Sequence, residues 1–271
     1  MTYAELDTTS NFSFLEGASH PQELVAQAKA LGLSAIAIAD RNTLAGVVRA
    51  HVAAKAAGLQ FIPGARLDLV DAPSLICLPT DRAAYGRLTR LLSLGQGRAQ
   101  KGQCHLKLAD VAAHAEGQIF IIKPPSAWHL RPEHGRLGKD EPSGKISAFE
   151  EPVCATALLS TGSPSPVSLP TDTISTSDLT ASIIRVADTL GRTRVNLAAT
   201  CLLTGDDSRR LATLATIAHT AGIPLVATNA ARFHAAHRRQ LSDVVTCIRY
   251  GLRISDAGFA IAANAERHLK S

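Results

Sequence analysis

The chain has no Cys-x-x-Cys pair, no block of like charge and no internal repeat. It also has no apolar run approaching the roughly 18 residues a membrane span needs. Each absence closes a class. Five cysteines (Cys77, Cys104, Cys154, Cys201, Cys247) are odd in number and stand far apart, which argues against a disulfide framework and against a structural zinc ribbon. Reduced thiols in a cytoplasmic protein are the expectation. The N-terminus enters an acidic strand without a basic-then-apolar leader, so neither export nor a membrane partner is expected. A formal charge of +5 and a pI near 9.1 permit a nucleic-acid neighbour. The excess is spread thinly, however, and basicity alone is a weak argument.

What is present is enough for one sizeable core, since 271 residues are 46% hydrophobic, and a barrel of this length is often a single domain. Up to residue 125 strand and helix signals alternate. The strand runs are "SAIAIA" (34–39), "LQFIP" (59–63), "RLDLV" (66–70), "SLICL" (74–78) and "QIFII" (118–122), preceded by a first strand over 3–8. Between them lie stretches with 3.6-residue periodicity. One begins near His20 and stops at Gly32, one ends in Gly58, and one runs from Asp81 to Leu94. Strands alternating with helices of this size point to parallel βα units, closed into a barrel or doubly wound.

Residues 126–177 read differently, as a Pro-, Ser-, Thr- and Gly-rich insertion too polar to repay the entropy of ordering, with Trp128 near its start. Regular structure is expected again at "DLTASIIRVADTLG", "RVNLAA", 206–221, "IPLVATN" and 234–250, and "NAERHLKS" reads as a further helical start.

In parallel βα proteins ligands gather where strands end. Those places hold Glu5, Asp7 and Thr9; Asp40 and Arg41; Arg66; Lys123; and Asn229, Ala230, Arg232 and His234. Asp40 is open to two readings, a pocket residue or the N-cap of a helix starting near Asn42. Glu5 and Asp7 also fit solvated strand positions. His20, His51, His105 and His219 share no spacing, and His234 and His237 lack a third donor for a metal. Arg82, Arg87 and Arg90 on the third helix are either a solvated face or contacts to a DNA backbone.

The stretch "YAELDTTSNFSFLEGASHPQELVAQAKALGLSAIAIADRNTLAGVVRAH" resembles the opening of the PHP (polymerase and histidinol phosphatase) domain of bacterial C-family DNA polymerase III alpha subunits. The similarity continues through "PTDRAAYGRLTRLLSLGQGRAQKGQCHLKLADVAAHAEG" and "PLVATNAARFHAAHRRQLSDVVTCIRYG" to "NAERHLKS". It is strongest toward the error-prone, damage-induced homologue rather than the main replicase. The resemblance implies an α/β fold, a distorted (β/α)7 barrel, whose strand ends hold up to three metals.

Residue by residue, the implied ligands are mostly gone. The first-strand His-x-His-x-His is Glu5, Asp7 and Thr9, and the Asp-His pair is Asp40 and Arg41. The Glu after "PG" is Arg66, the His-Pro is Lys123 with Pro124, and the late Asp-x-His is Ala230 and Arg232. Guanidinium and ammonium groups have no lone pair for a metal and repel it. The four cations are therefore expected to pair with Glu5, Asp7 and Asp40 where a metal cluster would otherwise stand.

The expected function is that of an N-terminal PHP domain of an error-prone polymerase acting in translesion synthesis and the damage response. It would be metal-free and non-catalytic, without cofactor, and would support a polymerase core expected to follow residue 271. Its partners would be that core, DNA indirectly, and other damage-response polymerase components. The alternative is a phosphoesterase or 3'-5' exonuclease using Mn, Zn or Mg on the remaining carboxylates. A free-standing nucleic-acid binding domain is a third possibility, resting only on the basic pI and the arginine helix.

Overall fold

A computed structural model describes residues 3–125 and 175–271. The polar insertion, with Trp128 and Cys154, lies outside the described residues except at its end. There, Ser175 caps a helix over Thr176–Leu190 by accepting from the Asp178 amide, so regular structure resumes slightly before residue 177.

Seven strands form one sheet in sequential order: β1 (Ala4–Glu5), β2 (Ala35–Arg41), β3 (Gln60–Leu67), β4 (Leu75–Pro79), β5 (Gln118–Ile122), β6 (Val195–Thr200) and β7 (Leu225–Thr228). The helices are α1 (Pro21–Ala30), α2 (Val47–Ala57), α3 (Arg82–Gly97), α4 (Leu108–Ala113), α5 (Thr176–Leu190), α6 (Asp207–Ala221) and α7 (Arg239–Tyr250). Just beyond β1 and β7 the sheet curls back on itself. The Thr9 amide donates to the Ala231 carbonyl at 2.8 Å, and the Ala231 amide donates to the Asp7 carbonyl at 2.9 Å. The result is the nearly closed, distorted barrel that the resemblance implied.

One strand breaks the parallel rule. β4 is antiparallel to both β3 and β5, because residues 68–74 are too few for the crossover of about a dozen residues that a parallel partner requires. The two predicted strands at 59–63 and 66–70 are a single strand, β3. Pro63 is tolerated because β4 pairs only with Ala65–Leu67 and leaves the Pro63 nitrogen without a ladder partner to serve. Gly64 lets the two strands close up, since a Cβ there would lie 2.6 Å from Leu78 Cδ2.

Packing follows the two-residue period of the strands. On β2, Ile36 and Ile38 pack with Leu24, Val25, Ala28, Ala50 and Ala54 of α1 and α2. Ala37 and Ala39 face the barrel interior with Ile76, Leu78, Ile121 and Ala198. The larger outer core joins β3–β6 to α3–α6 around Leu67, Leu88, Leu91, Phe120, Ile183, Val186 and Leu214. The predicted helical start at "NAERHLKS" is instead an irregular lace. The Asn264 side chain donates to the Leu202 and Leu203 carbonyls, and the Arg267 carbonyl accepts from the Arg232 amide at 2.9 Å. The last of these long-range bonds takes a backbone carbonyl that a helix would have used.

Candidate functional site

All six parallel strands end at one mouth of the barrel, and there the chain gathers charge. Lys123, one residue past β5, donates to both carboxylate oxygens of Asp7 at 2.6 Å. Both groups are held inside, the Asp7 side chain 2% and the Lys123 side chain 20% exposed. Burial lowers the Lys123 pKa, and Arg66 and Arg267 push the same way, while the Asp7 contact opposes them.

The hub of the mouth is Glu16, a residue of the β1–α1 loop that nothing in the sequence singled out. Arg66 reaches its two oxygens at 2.9 and 3.0 Å, Arg41 reaches it at 3.3 Å and Arg249 at 3.4 Å. Burial alone would raise this carboxyl. Arg66, Arg232, Arg249 and Arg41 together overcome that and hold it at about 2. Asp68 forms a second bridge, accepting from Arg41 Nε at 2.7 Å, Arg66 Nε at 3.1 Å and Ser74 at 2.8 Å.

Asp40 is not in this ion-pair group. It shares the parity of Ile36 and Ile38, so it turns to the helix side, whereas Arg41 follows Ala37 and Ala39 over the mouth. Its carboxylate accepts from the Ser10 amide at 2.8 Å, Ser10 Oγ at 2.7 Å and Ser13 Oγ at 2.7 Å. Burial raises its pKa against those bonds. It does not cap α2 either, since that helix starts at Val47 behind Gly46. Glu5 likewise stands apart from these ion pairs. It accepts from the Asp7 amide, the Asn229 amide and the Tyr3 hydroxyl, each at 2.9 Å. Burial, with Asp7 close by, moves its carboxyl up to about 7.

The other sequence-derived positions separate. Thr9 is buried beside the closing seam. Ala230 is buried with a left-handed backbone (φ 47°) and offers no donor. Arg232 is half-buried at the mouth near Glu16. The rings of His234 and His237 meet edge-on at 5.4 Å, and His234 Nδ1 shares a hydrogen bond with Ser19 Oγ at 2.8 Å. On α3, Arg87 donates to the Glu116 carbonyl at 2.8 Å, while Arg82 and Arg90 are exposed.

Of the residues sequence reasoning missed, Asp68 carried a signal, since it lies two along β3's direction from Arg66 and so on the same face. Glu16 carried none: the tight packing of Gly17 after it, where a Cβ would fall 2.1 Å from the Ser10 carbonyl oxygen, exists only in the fold. Arg249 and Arg267 are brought in by tertiary structure alone.

This donor set does not suit the metal cluster the resemblance implies. Both oxygens of Asp7 are engaged by an ammonium, those of Asp40 by three donors, those of Glu5 by three more, and Glu16 by guanidinium groups. Among the described residues no three His, Cys, Asp or Glu side chains are placed to share an ion.

Comparison with known proteins agrees with this assembly at the family level. Residues 5–131 match the PHP domain. An error-prone DNA polymerase of Caulobacter vibrioides is 44% identical over 99% of this chain. Error-prone DNA polymerase 2 of Rhizobium meliloti is 40% identical over all of it. The chain spans 20% of the length of each. A solved amidohydrolase from Chromobacterium violaceum covers 84% of this chain and 86% of its own at 15% identity, with a TM-score of 0.47, too distant to add to the topology above. The chain thus carries a PHP domain and, along nearly its whole length, is homologous to part of the error-prone DNA polymerases.

Proposed function

We propose that this chain is the PHP module of an error-prone polymerase acting in translesion synthesis and the response to DNA damage in the cytoplasm, and that it supports the polymerase without hydrolysing anything itself. One observation carries the non-catalytic reading: a lysine and three arginines bond to the mouth's Asp7 and Glu16. Metal-assisted hydrolysis needs carboxylates and imidazoles with free lone pairs and an ion to activate water. Here Asp7 and Glu16 are already charge-paired, and Asp40 and Glu5 are taken up by hydrogen bonds.

The supporting role is favoured by an apolar stripe. Leu241, Val244 and Ile248 on α7 lie at helical spacing and are 42%, 42% and 57% exposed, and Ile254 and Phe259 beyond them are also exposed. A strip of this kind marks a surface suited to a protein contact, and the curated relatives are about five times as long as this chain.

The test is incubation with single-stranded DNA or p-nitrophenyl phosphate plus Mn2+, Zn2+ or Mg2+. No turnover above heat-killed protein is expected. Metal-dependent release abolished by Asp40→Asn would replace this reading with a phosphoesterase or exonuclease.

A further inference from the structure

Between Asp81 and Asp110 the chain places six of its 28 lysines and arginines and none of its 23 acids. These cations form no block in sequence, since they stand three to eight residues apart. The fold brings them onto one surface. By the 3.6-residue period of α3, Arg82, Gly86, Arg90, Ser93 and Gly97 share the face opposite the buried Ala84, Leu88, Leu91 and Gly95. Arg87 points elsewhere and is bound to the Glu116 carbonyl. Past the helix end, Arg98, His105 and Lys107 line a cleft of about 520 Å³ with Val70 and Asp110. Arg98 Nη1 and the Lys107 amide both donate to Asp110 Oδ2, at 2.8 and 2.9 Å. The His105 amide donates to the Gly95 carbonyl at 2.9 Å and ties this loop back to α3. Lys101, within the loop, is exposed.

An exposed helix face ordinarily mixes both signs, with i,i+4 pairs that neutralise it. This one does not. Among the described residues the side chains of Arg82, Arg90 and Lys101 make no ion pair or hydrogen bond, so their charge is directed at solvent. Glycine weakens a helix relative to alanine, yet Gly86 and Gly97 stand on the same face, and a Cβ at either would meet nothing within 4 Å. Packing does not require these glycines. They keep the track between the arginines low and open to a rod lying along the helix. The 16 residues of α3 run about 24 Å at 1.5 Å each, a length over which one strand of a duplex carries roughly seven phosphates. Tyr85, half-buried, is the only Phe, Tyr or Trp between Asp81 and Asp110. Single strands are held by aromatic stacking as well as by charge. Charge without stacking fits a duplex, whose bases are already stacked on one another.

We propose that the outer face of α3, continued by Lys101 and the cleft at Arg98, His105 and Lys107, is a docking surface for double-stranded nucleic acid, held by the phosphate backbone of one strand without reading its sequence. This goes beyond the supporting role and is independent of the barrel mouth, for it gives the chain a surface that meets nucleic acid directly.

The experiment is fluorescence anisotropy with the 271-residue chain, in chelator and at several salt concentrations. The probes are a labelled DNA duplex longer than the stripe and the corresponding single strand, with polyglutamate as competitor. Saturable binding of the duplex is expected, tighter than that of the single strand. Arg98 is already shared with Asp110, which leaves Arg82, Arg90, Lys101 and Lys107. Four phosphate contacts give a slope of log affinity on log salt of about −3.6, at roughly −0.9 each. Arg82→Gln with Arg90→Gln, both exposed positions and checked for an intact thermal transition, lowers the affinity tenfold or more and halves that slope. Lys55→Gln, exposed on α2, changes neither. Absence of saturable binding overturns the proposal, as does a slope unchanged in the double variant or a single strand bound as tightly as the duplex. Polyglutamate that displaces the duplex at equal charge concentration also overturns it and makes the partner an acidic protein segment. The assay contains neither metal nor polymerase, so hydrolysis by the mouth or a failed contact through α7 leaves its readout untouched, and the two ideas fail separately.

Discussion

At the residue scale the site rests on Glu16. Replacing it with Gln leaves Arg41, Arg66 and Arg249 facing a neutral group inside the mouth. Breaking a buried pair in this way costs about 3–5 kcal/mol, and the loss is expected in urea unfolding of Glu16→Gln. The two buried acids impose opposite pH dependences. Glu16 is depressed to about 2, so its stabilisation is full above the ordinary carboxylate range and disappears as pH falls through that range toward 2. Glu5 is raised to about 7, so it favours the folded state at low pH and loses that contribution as pH rises from the ordinary carboxylate range through 7. The stability of wild type relative to Glu5→Gln should therefore fall between pH 5 and pH 8, and a flat difference would count against the burial of this carboxyl. Asp40 answers to its serines: a double-mutant cycle of Asp40→Ala with Ser13→Ala should show coupling in the range of about 0.5–3 kcal/mol. The cycle with Arg66→Met should show less. Equal coupling would return Asp40 to the ion-pair group, where its type and its place beside Arg41 had put it in the sequence.

At the element scale, much of the fold was legible and the exceptions have local causes. β5 and the end of α2 at Gly58 sit where periodicity and the glycine put them. β4 could have been read as antiparallel from its short link to β3, because chain length limits how strands can connect. Asp40 and Arg41 could have been assigned to opposite faces from strand period alone. The mouth loop is different, since residues 10–17 have no period, and their path is fixed by Ser10 and Ser13 bonding to Asp40 and by the close approach at Gly17. Gly17→Ala should lower stability by about 1–3 kcal/mol, the usual cost of forcing atoms into a packed site. It should also weaken the Glu16 contacts, seen as a reduced pH dependence between pH 2 and 5. An alanine that leaves both unchanged would mean that the loop is looser than its contacts indicate. The terminal lace was illegible for the same reason as the loop, since its bonds are to residues distant in sequence.

At the scale of the whole molecule, the barrel is the one the resemblance implied, and its mouth is held by charges the chain itself supplies. On the proposed supporting role the α7 stripe is the face that meets the rest of the polymerase, so Val244→Asp with Ile248→Asp should leave the melting temperature of the chain nearly unchanged yet abolish its association with the rest of an error-prone polymerase in a pull-down. Retained association would place the contact elsewhere. The proposed metal-free state of the mouth is tested most directly by elemental analysis of the chain purified without chelator and then equilibrated with Mn2+ and Zn2+. The account requires a metal content well below one ion per chain, because Lys123 and the arginines occupy the carboxylates an ion would need. One or more tightly held ions per chain, lost on substituting Asp7 or Asp40, would contradict it.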